Sequence, residues 1–120
     1  MNTIASIAVM FVAACHLYFL VLEMFFWTKP LGRRVFGLKP DFAQASKALA
    51  ANQGLYNGFL AAGLAWSVGA GPVEGYALKV FFLVCVIVAG LFGAATAHRK
   101  ILWVQAVPGA IALILVGASR

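Results

Sequence analysis

Apolar residues run almost unbroken through four stretches of the chain, residues 3–27, 48–69, 77–97 and 101–118. A helix rises about 1.5 Å per residue, so a run of about 20 residues crosses the ~30 Å hydrocarbon core of a bilayer. The fourth run is the shortest. The first lacks the basic start and small-residue cleavage site of a signal peptide, and it is longer than one. The pattern predicts an all-α fold. Residues 1–120 form a single integral membrane domain in this reading, a four-transmembrane-helix bundle.

The polar stretches between the runs carry their own signals. "KPLGRRVFGLKPDFAQASK" (residues 29–47) contains Pro30 and Pro40, and each favours turn or extended backbone just before it. Asp41 followed by Gln44 resembles a capping box, which predicts a helix starting near Asp41 and entering the second run without a break. Arg33, Arg34, Val35, Phe36 and Leu38 are placed to rest on lipid headgroups, in what reads as a basic juxtamembrane loop. "GAGPVEGY" (residues 69–76) reads as a tight turn with a solvated Glu74.

Composition agrees with the pattern. Hydrophobic residues make up 64% of the chain and charged residues 10%, whereas a soluble domain has about 25% charged. A soluble fold of 120 residues would leave much of this apolar surface in water. The net charge of +6 is not a nucleic-acid footprint, because the basic residues sit between apolar runs without aromatic interleaving. The expected partner is the lipid bilayer, with no nucleic acid, and a homo-oligomer is left open.

The same charges orient the spans. Lys29, Arg33, Arg34, Lys39 and Lys47 lie between the first two runs, and Arg99 and Lys100 between the last two. Lys79 and Arg120 fall on the other side. Basic loops stay in the cytoplasm. Both termini are therefore expected on the outer, periplasmic side of a bacterial inner membrane. Cys15 and Cys85 lie within apolar runs without metal-ligand spacing and read as small buried hydrophobes.

Polar residues inside the runs are the exception that calls for a role. The second run holds "ANQGLYNG" (residues 51–58). By helical rise, Gln53 lies ~9 Å and Asn57 ~15 Å in from Lys47, Glu23 ~6 Å and His16 ~16 Å in from Trp27, and Gln105 ~7 Å in from Lys100. These depths put Glu23, Gln53 and Gln105 in one shallow layer, and His16 and Asn57 in a deeper one. His16 and Glu23 are seven residues apart and share a helix face, as do Gln53 and Asn57, which are four apart. Asn52 and Tyr56 form a neighbouring stripe. A carboxylate in lipid costs at least ~2.5–3.5 kcal/mol, so Glu23 should face protein or water and find a partner. The arrangement predicts a polar pocket near the cytoplasmic side, with His16 and Glu23 as acid–base candidates. Asn52, Gln53, Tyr56, Asn57 and Gln105 are its candidate ligand-binding residues. The ~10 Å between His16 and Glu23 along the axis is too long for a direct bond and leaves room between them.

Two backbone features bear on that pocket. Gly54 and Gly58, extended by Ala62, make a small-residue stripe that lets another helix come close. Gly90 and Ala94 are a weaker version. Pro108 removes a backbone hydrogen bond within the fourth run and is expected to loosen the helix near Gln105.

"HLYFLVLEMFFW" (16–27), "GRRVFGL" (32–38), "LAANQGLYNGFLAAGL" (49–64) and "RKILWVQAVPGAIAL" (99–113) together resemble the bacterial membrane proteins catalogued as domain of unknown function 1304. The resemblance covers nearly the whole chain and implies a four-span protein. It implies no particular reaction. The matching motifs contain His16, Glu23, Gln53, Asn57 and Gln105.

The residues exclude several chemistries. There is no serine nucleophile beside a base, no cysteine–histidine zinc spacing and no phosphate-binding glycine loop. His16 lacks a second histidine on a facing span for haem, so no cofactor is expected. A site for an amphipathic or lipid-like small molecule is the leading expectation, with isomerase-like proton transfer as one use of His16 and Glu23. A proton-coupled transporter and a structural subunit of a membrane complex are the alternatives. The one-sided charge argues against dual insertion of the kind small exporters use.

Overall fold

Backbone amides within an apolar run must find their partners in the same segment, and this chain does so by helix almost throughout. A computed structural model describes residues 3–119. It contains α1 (Thr3–Phe25), α2 (Pro30–Phe36), α3 (Pro40–Gly69), α4 (Pro72–Thr96), a π-helical turn (Leu102–Ala106) and α5 (Val107–Ala118). No strand occurs among the described residues. The all-α expectation holds. Each apolar run coincides with helix, and the short α2 lies in the basic linker.

The boundaries differ from the apolar runs for local reasons. The 30-residue α3 begins at Pro40, well before the apolar run at 48. Proline suits a first helical position, where its missing N–H costs nothing. Asp41 therefore lies inside the first turn, where an acid favours the helix dipole, rather than at the N-cap of a capping box. α4 likewise starts on a proline, Pro72, five residues before the expected 77. That early start carries Lys79 two turns into the helix, where it is buried. The outer-loop position read from charge alone is thus corrected.

The chain divides into two compact units. One joins the segment up to Ala14 with everything from Leu60 onward, and the other is Cys15–Phe59. The first has a core of Ala5, Val9, Val12 and Ala13 from α1, Leu64 from α3, Leu83 and Val86 from α4, and Ala112 and Val116 from α5. Their spacing is that of one helix face. The buried residues are mostly small, while bulky ones point out: Phe11 is 60% exposed, Phe81 62% and Ile114 69%. α1 and α4 are each long and apolar enough to cross a membrane, and Leu102–Ala118 is a shorter apolar segment.

Glycine lets α4 and the last segment come close in this unit. A Cβ added at Gly90 would lie 2.5 Å from the backbone nitrogen of Ala106, and one at Gly109 would lie 2.9 Å from Val86 Cγ1. α4 and the Leu102–Ala118 segment therefore meet nearly backbone to backbone. Within that segment the Val107 N–H reaches back five residues to the Leu102 carbonyl. Pro108 follows at once and has no N–H to continue the ladder. The loosening expected around Gln105 takes the form of this π turn.

Gly90→Val should destabilise the protein by ~1–3 kcal/mol through overpacking against Ala106. Gly117→Ala, at a site with open space, should leave stability unchanged or slightly raised. Thermal unfolding in detergent reads both. Equal melting temperatures for wild type and Gly90→Val would refute the close contact.

Candidate functional site

The Cys15–Phe59 unit holds the second half of α1, all of α2 and the first two-thirds of α3. α1 and α3 touch along the small-residue stripe. A Cβ at Gly58 would come 2.7 Å from Leu20 Cδ1. One at Gly54 would lie 2.7 Å from Met24 Cγ, 3.2 Å from Glu23 Cβ and 3.3 Å from the Leu20 carbonyl. Leu20 faces Gly58 and Met24 faces Gly54, so the segments run antiparallel. The stripe ends there, since Ala62 is exposed rather than extending it.

This approach brings Glu23 to two amides. Asn57 Nδ2 donates to Glu23 Oε1 at 2.5 Å, and Gln53 Nε2 donates to Oε2 at 3.1 Å. Gln53 and Asn57 are one helical turn apart, and the carboxylate sits between them with one oxygen toward each. Glu23 is 5% exposed and Asn57 9%, while Gln53 lies on the open edge. Both partners are neutral, so no cation joins the carboxylate through its hydrogen bonds.

The other predicted residues are placed differently. His16 is 1% exposed and meets Phe19 edge-on, with ring centroids 5.4 Å apart. Asn57, expected in the layer of His16, pairs with Glu23 instead, because the amide and the carboxylate side chains together bridge the offset. Asn52 is exposed, and Tyr56 is 55% exposed with its ring against Phe59. Each precedes by one residue a neighbour that bonds Glu23, a ~100° rotation that carries it off the contact. These two are not gathered around Glu23. Gln105 is partly buried within the π turn and belongs to the other unit.

A short structured linker closes this unit. Trp27 Nε1 donates to Ser46 Oγ at 3.0 Å, and the Trp27 and Phe36 rings lie 5.0 Å apart. α2 sits so close to the end of α1 that a Cβ at Gly32 would collide with the Phe26 carbonyl. It ends at Gly37, whose φ of 65° is left-handed, and the Leu38 N–H returns to the Arg33 carbonyl. This is the Schellman closure that glycine permits.

A second buried polar group was not anticipated. Lys79 is 2% exposed, and its Nζ donates to the Ser67 carbonyl at 2.5 Å. Ser67 lies in the last turn of α3, where carbonyls lack intrahelical partners. The ammonium supplies one, while Ser67 Oγ donates to the Leu64 carbonyl. Gly75, one turn before Lys79, leaves the space, since a Cβ there would stand 2.8 Å from the Ser67 carbonyl. Pro72 as a helix start was the available signal for placing Lys79 inside α4.

Cys15 and Cys85 are free thiols. Among the described residues, no three His, Cys, Asp or Glu side chains gather in a way that would hold a metal ion.

Asn57→Ala leaves Glu23 Oε1 without its buried donor and should cost ~1–3 kcal/mol. Gln53→Ala, on the open edge where water can replace the amide, should cost less. Denaturation of the two variants side by side in one detergent checks the order, and the reverse order would show that Gln53 carries the carboxylate.

A relative in Lactococcus lactis subsp. lactis (strain IL1403), the uncharacterized protein YpaA, is 28% identical over 116 residues, which is 95% of this chain and 97% of the relative. No solved structure matches the chain. The model of a protein family matches residues 10–117, a stretch that contains His16, Glu23, Gln53, Asn57 and Gln105. The chain belongs to that family, described as protein of unknown function (DUF1304).

Proposed function

We propose that this is a four-span protein of the bacterial inner membrane, and that Glu23 anchors an intramembrane site for a small amphipathic molecule. Support for the bilayer comes from the two long apolar helices, the apolar Leu102–Ala118 segment and the bulky side chains turned outward. Seven of the nine basic residues lie in the 29–47 and 99–100 linkers. With Lys79 withdrawn into the fold, the opposite side is poorer still in charge. The reading therefore keeps both termini periplasmic.

The observation that carries the site is a buried carboxylate held by two neutral amides. Where polar residues serve only to join helices, a glutamine at position 23 would bond the same neighbours without the desolvation penalty of an acid. Retaining an acid implies a use for its charge or its proton. The carboxylate has lone pairs beyond the two in use. Gln53 at the open edge marks the side from which a donor-bearing head group would approach. Leu49, one turn earlier and 76% exposed, offers apolar surface to the rest of such a molecule. His16 lies two turns further along α1, about 10 Å away, and would meet the far end of a short ligand. Proton transfer between such ends suits an isomerase-like reaction.

A purely structural role for the cluster is the competing reading, since both bonds of Glu23 are internal. Glu23→Gln separates the two. It keeps the shape, so unfolding in detergent should change little. Native mass spectrometry of the protein purified from its membrane should show a small-molecule adduct on wild type and its loss on Glu23→Gln. Identical adducts on both would leave only the structural role.

Topology is tested separately. With Cys15 and Cys85 replaced by serine, a cysteine at position 2 should react with a membrane-impermeant maleimide in intact spheroplasts, and one at position 34 should not. Labelling at position 34 would invert the assignment.

A further inference from the structure

The basic linker carries more than topology. Between residues 29 and 47 it holds five cations, Lys29, Arg33, Arg34, Lys39 and Lys47, against the single acid Asp41. Most of them are free in water, but Arg33 is not. Its residue is partly buried, its Nε–H is out of contact with solvent, and that donor has no hydrogen-bond partner. Buried donors are almost always paired, so an unpaired one in a native fold calls for an explanation, and an acceptor that the guanidinium meets by a small shift of its side chain is one.

The support under Arg33 is rigid. α2 is pressed onto the Phe26–Trp27 turn at Gly32, Trp27 is tied to Ser46, and the Leu38 N–H is bonded to the Arg33 carbonyl itself. An arginine on a long flexible linker loses much side-chain and backbone freedom on binding, whereas this one has a fixed backbone. The helix ends of this unit and α2 itself suit an interface. Phe25, Phe26, Leu31 and Phe42 are all exposed, with Phe25 at 64% and Phe42 at 58%. Aromatic and apolar side chains interleaved with cations at the end of an apolar helix match the headgroup level of a membrane.

We propose that Arg33 is the centre of a binding site for the phosphate of an anionic phospholipid headgroup, with Arg34 as its neighbouring cation. A guanidinium presents a planar fork of donors that fits two phosphate oxygens at once. Acyl chains of the same lipid would cover Phe25 and Phe42. The assignment rests on the bilayer placement proposed above and is independent of the Glu23 site.

The test uses the full-length protein in nanodiscs made from equal parts of zwitterionic and anionic phospholipid, followed by native mass spectrometry of the released protein. Wild type should retain anionic lipid about tenfold over zwitterionic, the scale of one charge-assisted contact. Arg33→Gln should abolish the preference. Arg33→Lys keeps the charge but loses the Nε–H and the fork, so it should lose most of the preference too, while Lys47→Gln, at an exposed cation outside the site, should keep it. Equal retention of the two lipids by wild type overturns the site whatever the variants do. A wild-type preference that survives in Arg33→Lys also overturns it, by reducing it to diffuse charge. An adduct of inorganic phosphate alone, formed in place of lipid when phosphate is added, would overturn the headgroup assignment. Failure of the protein to enter nanodiscs would instead remove the bilayer placement beneath it.

Discussion

The near contact of α1 and α3 at Gly54 and Gly58 is the constraint on which the polar chemistry of this protein depends. Two bare positions let Leu20, Glu23 and Met24 sit almost on the opposing backbone. Only at that distance do the two amides of Gln53 and Asn57 reach both oxygens of one carboxylate. A side chain at Gly54 would press on Met24 Cγ and Glu23 Cβ and push the helices apart, which would stretch the bonds that hold Glu23. Packing here comes first, and the polar geometry follows from it. Small residues, rather than a strong hydrophobic drive, are what let apolar helices associate in lipid.

Glu23 and Lys79, the two buried charged side chains among the described residues, are handled in different ways. Glu23 is satisfied by side chains, which can move, exchange partners or admit a competitor. Lys79 is satisfied by a main-chain carbonyl at the end of α3, which cannot leave without unwinding the helix. The first arrangement suits a site and the second suits a brace. The lysine completes a helix terminus that is short of donors, and Gly75 keeps the path to it clear. The contrast is one more reason to look for chemistry at Glu23.

Much of this was legible in the residues. Apolar runs marked the long helices, the glycine pair marked where α1 and α3 meet, and Pro108 marked where the last helix would loosen. Depth counting brought Glu23 to Gln53. It failed for Asn57, because rise along a helix says where a Cα lies and not how far a glutamate reaches. Asn52 and Tyr56 were read as a neighbouring stripe, and the ~100° that one residue turns a side chain leaves that stripe exposed. Lys79 was missed because charge counting treats every lysine near an apolar boundary as solvated. The boundary itself was misplaced, since Glu74 and Gly75 look like loop although they sit in the first turns of α4. The unpaired Nε of Arg33 had no signal at all. Burial of a single side-chain atom is a tertiary event that no local pattern records.

The π turn has a consequence for how this last segment came to fit its neighbour. In an α-helix, positions five apart point about 140° away from each other. Ile101 and Ala106 are five apart, yet Ile101 lies against Gly93 and Ala106 against Gly90, both on α4. The wider turn absorbs one residue and restores the face, so that Ala106, Gly109, Ala112 and Val116 continue on the buried side beyond it. Such a turn behaves as a single-residue insertion accommodated in place, with the excess taken up as a bulge instead of rotating everything downstream. A related chain lacking one residue between 102 and 106 would be expected to run as plain α-helix through this point and still present the same seam. Length differences at this spot are therefore to be read as phase corrections, and a gap there need not signal a different fold.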